Sequence, residues 1–101
     1  MKQGNVAEIK MVKMLRLGQE KNNQTYVCEV ASYDIQRGCL CLVLVAGELT
    51  ELSLDAIYEC SILCEEKTLE CTGRIRERYR GKEGKILDLK VENGFYKIST
   101  K

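Results

Sequence analysis

The chain reads as an all-β protein: a small, mostly antiparallel β-barrel of about six to seven strands, with room for one short helix. Three observations carry that reading. Apolar and polar residues alternate along most of the chain instead of recurring at helical spacing. Gly, Asn and Asp punctuate these runs at short intervals, and Pro is absent. Finally, 101 residues hold one ordinary core, and no repeat, linker or low-complexity stretch divides them. A single domain over residues 1–101 is expected. A barrel suits short strands because closure removes the unpaired edges that invite aggregation; an open sheet carrying one helix is the alternative.

Residues 7–17 open the pattern. Ile9, Met11, Leu15 and Leu17 follow period two, whereas Val12 and Met14 break it, so a bulged strand or a helical turn fits. The polar residues 18–24 read as a turn. Tyr26, Cys28 and Val30 then alternate with Val27 and Glu29 as a second strand. Residues 34–38 form a loop, and residues 39–45 (CLCLVLV) are apolar throughout, as in a central strand buried on both faces. Residues 48–56 fit a short strand or a helical turn, and residues 57–64 a strand.

After the solvated residues 65–67, residues 68–79 give the best-marked strand. Leu69, Cys71, Gly73, Ile75 and Tyr79 fall on an apolar face, with Glu77 the exception there. Thr68, Glu70, Thr72, Arg74, Arg76 and Arg78 fall on the other face. Twelve residues is long for one strand, so a bend is expected at Gly73. Residues 80–84 (RGKEG) connect to a strand over 85–91. Asn93-Gly94 then reads as a type I′ hairpin turn into residues 95–98.

Composition removes most catalytic chemistry. Without His, both Ser-His-Asp and Cys-His mechanisms are excluded, along with the commonest metal ligand. The expectation is a protein that is not an enzyme and takes no cofactor. Sixteen Lys+Arg against fifteen Asp+Glu give a net charge of +1, which supplies no overall field for nucleic acid or an anionic membrane. The longest apolar run, residues 39–46, is too short to span a bilayer. No signal-peptide pattern opens the sequence, so a cytoplasmic location is expected.

The cysteines are Cys28, Cys39, Cys41, Cys60, Cys64 and Cys71. In strands, the C-x-C pair spans ~7 Å and the C-x-x-x-C pair ~13 Å, which suits neither pair for a shared tetrahedral zinc. A disulfide framework belongs to exported chains. Core packing is therefore expected, since free Cys behaves as a small hydrophobe.

One constellation stands out. Arg74, Arg76 and Arg78 on one strand face, about 7 Å apart, approximate the spacing of successive phosphates, and guanidinium groups bind such oxygens bidentately. A phosphate-bearing ligand, a cyclic dinucleotide or single-stranded RNA, is one expectation. A solvated face paired with acids is the other. The aromatic platforms that single-stranded nucleic acid needs are scarce, with Tyr79 and Tyr96 the nearest candidates.

Residues 51–56 (ELSLDA), followed by a strand, resemble the [D/N]-x-S-x-x-G signature of the PilZ domain. The latter half of the chain, TLECTGRIRERY and GKILDLKVENGFYKI, is similar to the latter half of a PilZ barrel, and to the PilZ-like N-terminal barrel of flagellar brake proteins. The likeness covers about residues 24–99. It implies a bacterial regulatory barrel attached to cyclic di-GMP signalling, with Glu51, Ser53 and Ala56 at ligand-contacting positions. Glu51 stands where the family has Asp or Asn, Ala56 where it has Gly, and only Ser53 matches outright. No R-x-x-x-R arm lies upstream; Arg74 and Arg78 have that spacing within a late strand. The expectation is an interaction module without intact cyclic di-GMP binding that acts through a protein partner. A homodimeric subunit pairing along residues 7–17 is the further alternative.

Overall fold

The computed structural model describes residues 1–99, with side chains through residue 95. Six strands form the fold: β1 (Val6–Met14), β2 (Thr25–Asp34), β3 (Cys39–Leu44), β4 (Ala56–Leu63), β5 (Lys67–Gly81) and β6 (Gly84–Ser99), with one 3-10 turn at Leu49–Glu51. They close into an antiparallel barrel in the order β1-β2-β3-β6-β5-β4. The expected all-β barrel is observed, with six strands. Among the described residues, no helix is long and apolar enough to cross a membrane.

Two three-stranded meanders, β1-β2-β3 and β4-β5-β6, build the ring, and residues 45–55 cross one mouth of the barrel between them. Inward positions alternate along each strand. Ala7, Ile9, Met11, Cys28, Val30, Leu40, Leu42, Tyr58, Cys60, Ile62, Cys71, Ile75, Leu87 and Leu89 fill the interior. Burying each larger apolar side chain among these contributes about 1.5–3 kcal/mol.

The irregularities of the pattern have local causes. Val12 is an extra residue between Met11↔Tyr58 and Lys13↔Ile57, which explains why residues 7–17 do not keep period two. β1 pairs with β4 along its length and with β2 over Val6–Lys10, so only its last residues, Met11–Met14, have a single strand neighbour. β3 is buried on one face and half-covered on the other, with the alternate positions Leu40, Leu42 and Leu44 pointing inward. Asn93-Gly94 is not a hairpin turn. It lies inside β6, where register shifts opposite residues 70–73 absorb the extra residues as bulges. The actual β5–β6 turn is Lys82-Glu83, closed by Gly81↔Gly84, with Gly84 at φ +123°. The positive φ falls just after the two turn residues, at a position where glycine adopts it without strain.

The cysteines divide. Cys28, Cys60 and Cys71 are fully buried core residues, and Cys60 lies directly opposite Cys71. Burial pushes the Cys28 thiol up to about 12. The hydrogen bond to Cys71, and then burial, push Cys60 up as well. Cys39 and Cys41 instead point outward from β3, where Cys39 is still buried. Cys41 and Cys64 are half-buried, and all six are free thiols.

Candidate functional site

The mouth crossed by residues 45–55 holds Glu51, Ser53 and Arg78, half of the site residues that the sequence singles out. β3 ends at Leu44, and Gly47, at φ +102°, turns the chain into the 3-10 turn. The Glu51 N–H donates to the Glu48 carbonyl (3.0 Å), and the Glu51 carboxylate accepts from the Glu48 N–H (3.2 Å). Glu51 thus caps its own turn. Leu52, 1% exposed, drops into the end of the core.

Ser53 is engaged at two atoms. Its N–H donates to the Tyr58 hydroxyl (2.9 Å), and its Oγ accepts from the Asp55 N–H (2.9 Å) in a short side-chain turn. Ala56 begins β4, fully buried opposite Met14, and among the described residues no non-glycine has positive φ. The backbone here therefore makes no demand for glycine; a methyl group fits the core.

The arginines are redistributed by one bulge. Ile75 lies opposite Leu89 and Glu77 opposite Asp88, so Arg76 is the extra residue and the alternation reverses beyond it. Arg74, Arg76 and Arg78 therefore do not share a face. Arg74, opposite Lys90, points outward with Arg76, whose Nη2 meets Asp88 at 2.7 Å. Arg78 lies opposite the core residue Leu87, and its guanidinium crosses the mouth to donate to the carbonyls of Leu49 (2.7 Å) and Leu52. Lys85 reaches the Gly47 carbonyl and Glu48 (3.3 Å), and Arg80 lies 3.9 Å from Glu48. The same reversal moves Tyr79 out of the core, leaving it 49% exposed, and takes Glu77 off the apolar face.

Glu51, Ser53 and Arg78 meet around a polar cavity of about 400 Å³, together with Arg16, Glu20 and Asp55. Two guanidiniums face three carboxylates there, so no surplus positive charge draws in a phosphate. Arg74, Arg76 and Ala56 lie outside it. Arg16 and Asp55 complete this cavity and were not marked by the sequence; only their polarity within otherwise alternating segments could have pointed to them.

Outside the barrel, an apolar band crosses four strands. Val27 lies beside Val45, whose N–H it accepts, and Val43 faces Ile86, which faces Tyr79. Ile86 is 4% exposed although it lies outside the interior cluster, while Val45 is 56% exposed. Compared with protein-family models, curated proteins and solved structures, the chain matches none of them.

Proposed function

We propose that the chain is a non-catalytic interaction module, a PilZ-like barrel of the bacterial cytoplasm that acts by binding a protein rather than cyclic di-GMP. The observation that carries this reading is the outer apolar band Val27, Val45, Val43, Ile86 and Tyr79, on a barrel whose interior is already filled. The state of the signature positions supports it. The Glu51 carboxylate, the Ser53 hydroxyl and the Arg78 guanidinium each bond to their own chain. A ligand at that mouth would have to displace these contacts before making its own.

Two measurements test the reading. A photo-crosslinking side chain at Val45 or Tyr79, but not at the exposed Glu20, is expected to capture one protein reproducibly in cells. An amide NMR spectrum titrated with millimolar cyclic di-GMP is expected to stay unchanged. Shifts centred on Ser53 would overturn the second half of the proposal, and equal labelling at all three positions the first.

A further inference from the structure

The outer half of β5 has a free edge. Pairing with β4 ends at Tyr58↔Gly73, whereas pairing with β6 continues to Gly81↔Gly84. From residue 74 to residue 81, β5 has one strand neighbour, and among the described residues no other backbone group bonds to this stretch. The two-residue turn fixes which groups are free. Gly81 faces its partner Gly84 across the closing pair, so Arg80, and then Arg78, turn their N–H and C=O away from β6.

A shallow groove follows that edge. Leu54, 42% exposed, forms one wall of a lobe of about 300 Å³ against Arg74, Ile75 and Arg76. It also walls a second lobe of about 540 Å³ running from Arg76 to Tyr79. The edge spans about 26 Å, enough for a segment of about eight residues.

Its charge is one-sided. Residues 74–82 carry Arg74, Arg76, Arg78, Arg80 and Lys82 against Glu77 alone. Arg76 is directed at Asp88 and Arg78 at the 3-10 turn, which leaves Arg74, beside Lys90 and Glu92, and Arg80, 71% exposed and in only a 3.9 Å contact with Glu48, to face an incoming chain. A second copy of this chain would set this basic stretch against itself, and like charges across a strand pair repel.

We infer that the edge of β5 over residues 74–81 docks an extended, acidic segment of another protein by strand addition. This inference rests on the interaction-module reading and supplies the chemistry of its partner. Main-chain bonds to the open edge would give affinity, the arginines would select carboxylates, and apolar side chains of the added strand would lie beside Leu54 and Tyr79.

The test uses the full chain and a blocked synthetic peptide of alternating Glu and Val. Amide hydrogen exchange is expected to slow at Arg78 and Arg80 on peptide addition. Arg80→Pro removes one outward N–H without touching the ladder to β6 and is expected to abolish that protection. The charge reversal R74E/R80E should weaken binding by at least about tenfold, and a Lys-Val peptide should not bind. Binding without protection at these amides, or binding that survives Arg80→Pro, would mean charge attraction alone and overturn the inference. No binding would make the arginines and the bulge a guard against edge pairing, and overturn it too. Crosslinking at Val45 reads the apolar band independently, so this inference can fail while the module reading stands.

Discussion

The two halves of β5 obey different rules, although one continuous strand contains both. Over residues 68–73 it runs between β4 and β6, buried and half-buried positions interleave, and each side chain has its face set by two neighbours. Over residues 74–81 only β6 remains, and every residue from 76 onward is exposed. The bulge at Arg76 lies at that boundary and reverses the alternation. The inner half is positioned by packing. The outer half is positioned by what its long side chains can reach, so an arginine becomes a brace and a tyrosine becomes surface.

The sharpest way to break this comparison is at Gly73, the last residue that β4 pairs. A Cβ there would collide with the Lys90 carbonyl oxygen, with the Lys90 carbonyl carbon at 3.0 Å and the Val91 Cα at 3.1 Å beside it. Gly73→Ala is expected to cost about 3 kcal/mol or more in urea unfolding. Gly94→Ala, where a Cβ meets nothing within 4 Å, should cost almost nothing. Equal losses would mean that close strand approach does not define the inner half.

Next in size is the alkaline limb of stability. The Cys28 thiol is held up to about 12 in the fold and returns to the ordinary thiol range when unfolded. Above about pH 9 the unfolded chain has therefore lost a proton that the folded chain keeps, and stability falls as pH rises toward 12. The slope is about 1.4 kcal/mol per pH unit for one such thiol. Cys60, pushed in the same direction, steepens it. Chemical denaturation at stepped pH should show this slope, and Cys28→Ala should make it shallower. A flat profile would mean that these thiols are not sealed in the core.

Arg78 tests the outer half from within. Arg78→Met keeps the aliphatic stem but strands the part-buried Leu52 carbonyl, while the Leu49 carbonyl keeps the Leu52 N–H. The expected loss is about 1–2 kcal/mol, with Arg78→Lys recovering some of it. Exchange at the Ser53 and Asp55 amides should accelerate in Arg78→Met, because the brace holds the turn that precedes them.

How far the sequence could show all this follows the same division. Period-two alternation located β2, β4 and the inner half of β5, because a closed barrel buries every second residue. It placed Cys28, Cys60 and Cys71 in the core for the same reason. Bulges left no mark in composition. The bulge at Val12 showed as a break in period two, but Arg76 and the stretch around Asn93 shift register without a Gly or Pro that demands it, so alternation read through Arg76 put Tyr79 inside and Arg78 beside Arg74. The Asn-Gly pair carried a real turn preference, but β5 continues opposite it, and tertiary pairing overrode the local signal. Of the candidate site, Ser53 and Glu51 were legible as a local polar pattern. Their convergence with Arg78 depends on a chain crossing the barrel mouth, which no local window contains.

The smallest expected effect is at Arg76, and it decides whether the outer half is held from outside as well. Its guanidinium makes the shortest ion pair among the described residues, 2.7 Å to Asp88, with its own side chain 44% exposed. The contact to Asp88 raises the arginine's pKa, which leaves its charge unchanged at any ordinary pH. A pair on the outer wall loses most of its attraction to solvent and to the entropy of holding a long side chain still. Arg76→Ala should therefore leave the unfolding midpoint where it is, at low salt and at high. The bulge should also survive, since the backbone pairs Ile75↔Leu89 and Glu77↔Asp88 define it rather than the side chain between them. NMR would read that survival as unchanged Arg78 and Tyr79 amides. If Arg76→Ala instead destabilised the chain as much as Arg78→Met, the outer wall would be as much a brace as the mouth, and a free docking edge on β5 would be the wrong description of residues 74–81.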